Sequence, residues 1–246
     1  MGAVRDARPR AGRRALSAPI TAHGALGFAL GERQGDPSEL VVPPAVSGER
    51  RAYLVRPDRR ALVLGSAQPE GAADGQACAA AGVVVVRRRS GGGAVLVGPG
   101  EQIWLDAFVP FDDPLFEPDV SRAAWWLGEV WASALAAAGL GGAIVHRDRL
   151  FPGALGRIAC FAGVGPGEVL LGGRKVVGIS QRRDRRGAWL FSMARSTPPA
   201  GPLGLEALLD LPAAGRAALA AQLAGTTTAL SAPPRLVEAA LAAKLA

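Results

Sequence analysis

The sequence predicts an α/β chain of the α+β kind, in which short β-strands and a few helices build one main domain. Three observations support this: short apolar runs between turn signals, one long segment with helical apolar spacing, and sufficient length. A chain of 246 residues can bury a sizeable core. Because apolar residues make up 49% of the chain and aromatic residues only 5%, Ala, Val and Leu must fill that core.

The β-strands are predicted where apolar and β-branched residues cluster between turns. Residues 52–55 and 61–64 flank a turn at 56–59 that contains Pro57 and Asp58, which favours a hairpin. Other strands are expected at 83–86, 94–97, 103–109, 143–146 and 189–193, and a hairpin is expected at Gly172-Gly173. Within 103–109, Trp104 and Asp106 should share one face because strand side chains alternate.

Helices are predicted at 25–33 and 72–81, and a longer one from Ser121, a good N-cap, to Gly139. Three more are expected near the end of the chain, at 205–211, 213–223 and 234–245. The composition divides the chain into a disordered basic N-terminal tail, a main domain and a helical C-terminal appendage. Their bounds are 1–16, 17–196 and 197–246.

The net charge of +7 comes almost entirely from arginine, since Lys175 and Lys244 are the two lysines. This charge suits an acidic protein or a nucleotide. We expect no nucleic acid partner, because aromatic residues do not alternate with the basic ones. Two cysteines and two histidines, without metal-ligand spacing, predict no disulfide framework, no metal site and a cytoplasmic location. No apolar run reaches the length of a membrane helix, so we expect no membrane partner.

The first candidate site follows the strand at 83–86 and has the sequence Arg87-Arg88-Arg89-Ser90-Gly91-Gly92-Gly93. Three consecutive glycines suit a tight turn whose backbone N–H groups point at an anion. The adjacent arginines offer forked donors for phosphate or carboxylate. A surface hairpin with a basic rim explains the same residues equally well.

The second candidate site is Lys175, just after the Gly172-Gly173 hairpin. It shares strand parity with Val177 and Ile179, which predicts a half-buried ammonium on their face. A buried ammonium needs a partner, and a bound carbonyl or phosphate oxygen would serve. The alternative is an edge lysine that discourages strand pairing.

These stretches resemble a known family. Arg88-Arg89-Ser90-Gly91-Gly92-Gly93-Ala94-Val95, followed by Gly173-Arg174-Lys175-Val176-Val177-Gly178, resembles the paired signature of lipoate–protein ligases and the related octanoyltransferases. Leu64-Gly65-Ser66-Ala67-Gln68 resembles the Gly-x-x-Gln turn that precedes the glycine loop in that family. The resemblance covers roughly residues 50–195. It implies the biotin/lipoate protein ligase-like fold, a mixed β-sheet flanked by helices, and makes 17–196 the catalytic domain.

The resemblance also implies an activity. Ligases of this family attach lipoic or octanoic acid to a lysine of an acidic lipoyl domain. They first use ATP to make an acyl-adenylate, and Mg²⁺ is a candidate cofactor of that step. Such acceptors belong to dehydrogenase complexes or are glycine cleavage H-type proteins, and the positive net charge would match them. By resemblance, Lys175 is the catalytic cation at the acyl carbonyl. The residues implied in substrate or adenylate binding are Arg88, Arg89, Ser90, Gly91, Gly92, Gly93, Ala94 and Gly178.

The sequence departs from the family pattern in three places, which leaves alternatives open. Leu96-Val97-Gly98 stands where ligases usually carry a His-Asp or similar polar pair, and the C-terminal tail is short for an adenylate-forming second domain. Cys160 precedes the Lys175 hairpin at a spacing similar to that of cysteine-dependent octanoyltransferases.

In those transferases the thiol takes the acyl group from an acyl carrier protein, without ATP or another cofactor. Cys160 is therefore either that catalytic nucleophile or a small buried residue, whereas Cys78 is predicted to be packing. A third reading is an inactive homologue that binds the acyl group or adenylate.

Overall fold

The structure is a computed structural model that describes residues 25–46, 48–151, 153, 155–196 and 204–246. These residues form two β-sheets, one of seven strands and one of three. The predicted disordered tail, 1–16, lies outside the described residues. In chain order the strands are β1 (Ala29–Gly35), β2 (Arg51–Pro57), β3 (Ala61–Leu64), β4 (Val84–Arg87), β5 (Val95–Val97), β6 (Gln102–Pro110), β7 (Ala143–Val145), β8 (Val169–Leu171), β9 (Arg174–Asp184) and β10 (Gly187–Arg195). The helices are α1 (Pro37–Leu40), α2 (Gly75–Ala80), α3 (Trp125–Ala137), α4 (Ala213–Thr226) and α5 (Pro234–Leu245).

Both sheets are mixed. The large sheet has the order β1-β2-β6-β10-β9-β8-β7, with β1 parallel to β2 and antiparallel pairs elsewhere. The small sheet has the order β4-β3-β5, with β4 parallel to β3. This confirms the predicted fold class, a mixed β-sheet flanked by helices.

The large sheet has a helical side and a side that faces the small sheet. Helices α3 and α5 pack together over the first side, where Trp131 and Leu241 are fully buried in one core. On the second side, Trp104 of β6 packs with Val63 and Val95 of the small sheet. The space between the two sheets holds the candidate site.

Two predictions near the start of the chain are wrong. The expected helix at 25–33 is largely strand β1, because residues 29–35 pair in parallel with β2 and that pairing outweighs a weak helical pattern. The expected hairpin at 52–64 does not form, since β2 and β3 lie in different sheets. The intervening turn bonds to β1 instead, through Asp58 N–H and the Gly35 carbonyl at 2.9 Å.

Three helix boundaries also differ from the prediction. The segment 72–81 is split by Asp74, whose carboxylate accepts from Ala77 N at 3.0 Å and so caps α2. Helix α3 starts after Ser121, because the Ser121 N–H and hydroxyl bond to Asp119 instead of capping the helix. The helix expected at 205–211 is a short 3₁₀ turn, Leu205–Leu208. The other predicted strands, the Gly172-Gly173 hairpin and the helices at 213–223 and 234–245 are confirmed.

The described part of the C-terminal segment, 204–246, packs into the same cores as the rest of the chain. Val237, Leu241 and Leu245 of α5 lie in the core under α3, and Leu219 of α4 lies in a core with Ala94 and Ala159. The division at residue 196 stays a prediction. Among the described helices, none has both the length and the apolar character needed to cross a membrane.

Candidate active site

A narrow cavity of about 40 Å³ lies between the two sheets, and distant parts of the sequence meet around it. Its apolar lining is Val41, Val63, Val95, Trp104, Phe161, Phe191 and Met193. Its remaining lining is Arg88, Arg89, Ser90, Cys160, Gly178 and Ser180. The structure therefore gathers Arg88–Ser90, Cys160 and Gly178, which were predicted separately, at one mostly apolar cavity. The other predicted binding residues, Gly91, Gly92, Gly93 and Ala94, are not in its lining.

The glycine loop is packed against the Gly-x-x-Gln turn by backbone contact. A Cβ added to Gly65 would lie 1.8 Å from the Gly92 carbonyl oxygen, so no side chain fits between the two turns. Gly92 itself has φ +97°, a conformation that favours glycine. Gln68 fastens the turn further, because it accepts from Gly65 N at 2.9 Å and donates to Ile158 O at 3.1 Å.

The three consecutive arginines have three different positions. Arg87 donates to backbone carbonyls of the Gly-x-x-Gln turn, including Gly65 O at 2.9 Å. Arg88 turns inward, and its Nη2 donates to Gly91 O and Gly93 O, each at 2.8 Å. Burial lowers the pKa of Arg88, an effect partly opposed by the charge of Cys160. Arg89 is exposed at the cavity. Arg88 thus shapes the loop, while Arg89 lines the cavity with an exposed side chain.

Cys160 is placed beside the glycine loop by a short parallel bridge. Ala94 N donates to Ile158 O at 2.8 Å, and Cys160 N donates to Ala94 O at 2.9 Å. The Cys160 side chain is partly buried and lines the cavity. Cys78 differs, since it is 2% exposed and its thiol lies 3.6 Å from Leu208 O. Burial raises the pKa of Cys78, and its predicted packing role is confirmed.

The predicted orientation of Lys175 is wrong because strand β9 contains a β-bulge. Val169 of β8 is in register with Val177, whereas Leu170 is in register with Lys175, so Val176 is an extra residue. Val176 and Val177 both pack into the core under α3. A bulge of this kind re-aims the neighbouring side chains. Lys175 therefore lies on the face of Gly178, where a Cβ would be 3.2 Å from Lys175 Cε.

The Lys175 ammonium is buried and fully engaged inside the protein. The residue is 2% exposed, and Nζ donates to Cys160 O at 2.7 Å and to Gly163 O at 3.0 Å. It also forms an ion pair with Glu168 Oε1 at 2.7 Å. The partner that the sequence predicted as a ligand oxygen is therefore, in this structure, a carboxylate of the chain.

Glu168 is the residue that the sequence interpretation missed. Its carboxylate also accepts from Ile179 N at 3.0 Å and from Gly165 N at 2.7 Å, which holds it against β9. The sequence did carry a signal for Glu168, which is an acidic residue directly before the apolar strand Val169–Leu171 and across a hairpin from a lysine. Lys175 itself lies behind the cavity wall, with Nζ 5.0 Å from the centre of the Phe161 ring.

A second buried carboxylate lies on strand β6 of the large sheet. Asp106 is fully buried, and its Oδ1 accepts from Trp104 Nε1 at 2.6 Å, which confirms that the two side chains share a face. Its Oδ2 has no hydrogen bond, and Arg33 Nη1 lies 3.7 Å away. Burial raises the pKa of Asp106 to about 7, against smaller lowering effects of Trp104 and Arg33. Arg33 also donates to Leu40 O and Val42 O, the carbonyls on either side of Val41. Arg33 and Asp106 together therefore connect Trp104 with Val41, another residue of the cavity lining.

The lining offers hydrogen-bond donors for an anion but no carboxylate for a cation. The described part of the chain contains no group of three or more His, Cys, Asp or Glu side chains placed to hold a metal ion. Around the cavity, the described residues thus supply no carboxylate ligand for Mg²⁺.

The two sheets place Arg88–Ser90, Cys160 and, behind Phe161, the buried Lys175 around one cavity. The chain belongs to the family of the lipoyl protein ligase A/B catalytic domain, whose model matches residues 45–194, and it is an enzyme of that family. No curated protein matches the chain.

Three solved structures are similar in fold. The T. acidophilum bi-partite lipoate protein ligase, described with its E2 lipoyl domain, has a TM-score of 0.66 at 16% identity, covering 89% of this chain and 82% of that one. T. acidophilum protein Ta0514 with bound lipoic acid has a TM-score of 0.59 at 16% identity, covering 79% and 70%. Lipoate-protein ligase A bound with ATP has a TM-score of 0.58 at 18% identity, covering 79% and 70%. These similarities confirm the predicted fold.

Proposed function

We propose that the chain attaches a lipoyl or octanoyl group, through an acyl-adenylate, to a lysine of a lipoyl carrier domain. The observation that carries this proposal is one apolar cavity bordered by the glycine loop and by the wall that covers Lys175. Membership of the family supports it, as do neighbours of the same fold that hold lipoic acid or ATP.

The first step would use the loop as an anion site. The carboxylate of the acid attacks the α-phosphorus of ATP, an acyl-adenylate forms and pyrophosphate leaves. Arg89 and the backbone N–H groups of Ser90–Gly93 would neutralise the phosphate. The apolar lining, with Val63 and Met193, would hold the acyl chain.

In the second step the amine of the acceptor lysine attacks the acyl carbonyl, AMP leaves and a proton is released. Lys175 would stabilise the negative charge that develops on the carbonyl oxygen. The ammonium already has three acceptors, so a substrate oxygen must replace one of them. Of the three residues that supply them, Cys160 is the one that lines the cavity. Gly178 would leave room for that exchange, because a Cβ added there would lie 3.2 Å from Lys175 Cε.

A second candidate function rests on the position of Cys160 in the cavity lining. As an octanoyltransferase, its thiolate would attack the thioester of an acyl carrier protein, releasing the carrier thiol. The acceptor lysine would then displace Cys160 from the acyl-enzyme, without ATP.

One experiment separates the candidates. An acidic lipoyl domain is incubated with the protein and either free lipoic or octanoic acid plus ATP, or octanoyl-loaded carrier protein, and its mass is measured. The ligase requires acid and ATP, tolerates Cys160→Ser, and loses at least about 100-fold in rate in Lys175→Met. Transfer from the carrier alone, abolished in Cys160→Ser but not in the control Cys78→Ser, would establish the transferase. Acyl binding without turnover from either donor would indicate an inactive homologue.

A further inference from the structure

Three large apolar side chains are exposed on, or shortly after, the strand at one end of the large sheet. Strand β7 is the last strand on that side. Ile144 of β7 is 67% exposed, and Leu150 and Phe151 of the following loop are 64% and 71% exposed. Single exposed apolar residues are ordinary, but a group of large ones is typical of a binding surface. We call these three residues the edge patch.

The edge patch is built on the elements that hold Lys175. Ile144 is in register with Leu170, which is in register with Lys175, so two strand spacings, about 10 Å, separate Ile144 from Lys175. Phe151 and Val164 exchange backbone hydrogen bonds of 2.8 and 2.9 Å. Val164 directly follows Gly163, whose carbonyl accepts from the Lys175 ammonium.

Exposed charged residues adjoin the edge patch, and they include Asp148 as well as arginines. Arg149 precedes Leu150, and Arg174 is in register with Leu171 and, through it, with Ala143 of β7. Both arginines are exposed, and within the described ranges no carboxylate lies within 4.0 Å of either. Arg147 differs, because it pairs with Glu129. An apolar centre with unpaired arginines at its rim is complementary to an acidic protein surface.

We propose that the edge patch is the docking surface for an acidic acceptor domain. This inference rests on the proposed function, which supplies the kind of partner. A domain seated on Ile144 and Phe151, with carboxylates facing Arg149 and Arg174, would lie beside the loop that holds Lys175. A second copy of this chain fits the surface less well. Pairing two copies here would bring the arginine rims, on chains of net charge +7, against each other.

The test measures binding separately from turnover. Titration calorimetry follows an acidic, unmodified lipoyl domain binding to the wild type and to the double variant Ile144→Ser/Phe151→Ser. The expected result is at least about a 10-fold weaker affinity and a matching rise in KM for the domain. Lipoate-dependent exchange of pyrophosphate into ATP, which needs no acceptor, should stay within about twofold of the wild type.

Matched controls lie elsewhere on the surface. Phe111 directly follows Pro110, the last residue of β6, and is 63% exposed. The variant Phe111→Ser should bind the domain with the affinity of the wild type. Arg174→Glu should weaken binding at low salt more than Arg235→Glu, on an exposed turn of α5.

Several results would overturn the proposal. These are unchanged binding by the double variant, an equal loss in Phe111→Ser, no binding by the wild type, or a wild-type homodimer that the double variant dissolves. If the wild type binds the domain through the edge patch but acylates it from neither donor, the docking surface stands and the proposed function fails.

Discussion

The two sides of the cavity are built by different physical means. On one side, turns at Gly65–Gln68 and Ser90–Gly93 are pressed together by backbone contact and held by arginine bonds to carbonyls. On the other side, the strands carry two buried carboxylates, Glu168 and Asp106. The turn side should therefore be sensitive to added volume, and the strand side to changes of charge.

The two carboxylates differ from each other as well. Glu168 faces an ammonium at 2.7 Å and has hydrogen bonds on both oxygens. Asp106 has one bonded oxygen and a guanidinium only at 3.7 Å. The first arrangement fixes a pair of charges, while the second allows the carboxyl to change protonation near neutral pH.

The largest expected effect is that of removing the charge of Glu168. Glu168→Gln should lower the free energy of unfolding by about 3–5 kcal/mol, because it leaves the buried Lys175 ammonium without its counter-ion. Urea denaturation at pH 7 measures this. The double variant Lys175→Met/Glu168→Leu, which removes both charges, should recover most of the loss. If the free energy of unfolding of Glu168→Gln is within about 1 kcal/mol of the wild-type value, Glu168 and Lys175 do not form a fixed charge pair.

Asp106 should make stability depend on pH. Its pKa is raised to about 7, so between about pH 4 and 7 the unfolded chain loses this proton while the folded chain keeps it. Stability should therefore fall as the pH rises through that window and level off above it, with an upper limit of about 4 kcal/mol at 1.36 kcal/mol per pKa unit.

The comparison with Asp106→Asn isolates this effect, because asparagine can keep the bond from Trp104 Nε1 without ionising. The difference in unfolding free energy between variant and wild type should grow in favour of the variant from pH 4 to 7. A difference that stays constant with pH would mean that Asp106 ionises normally in the folded protein.

Local sequence patterns predicted which residues lie at the site better than they predicted how those side chains are oriented and bonded. The glycine loop and the Gly172-Gly173 hairpin were visible because Gly runs and β-branched runs are local signals. The Lys175 orientation was not, since a single extra residue, Val176, reverses strand parity and depends on its register with β8. Likewise, the inward position of Arg88 depends on Gly91 and Gly93 carbonyls that only the folded loop presents.

Added volume should disturb the turn side. Gly65→Ala places a methyl group where the Gly92 carbonyl oxygen lies, and should destabilise the protein by about 1–3 kcal/mol. Gly71→Ala is the matched control, because no atom lies within 4 Å of the added carbon there. Thermal unfolding of both variants checks this. Equal effects of the two substitutions would mean that the turns separate easily and that their contact does not shape the cavity.

The smallest effects should separate two neighbouring arginines on the turn side. Arg88→Lys loses the forked bonds to Gly91 O and Gly93 O, and should lower the free energy of unfolding by about 1–2 kcal/mol. Arg89→Lys should leave stability within about 0.5 kcal/mol, because Arg89 is exposed. If Arg89 faces a nucleotide phosphate, the same substitution should raise the KM for ATP in lipoate-dependent pyrophosphate exchange by about 10-fold. Urea denaturation and pyrophosphate-exchange kinetics are measured on both variants. If Arg88→Lys raises the KM for ATP and Arg89→Lys lowers stability instead, the anion site is at Arg88 and not at Arg89.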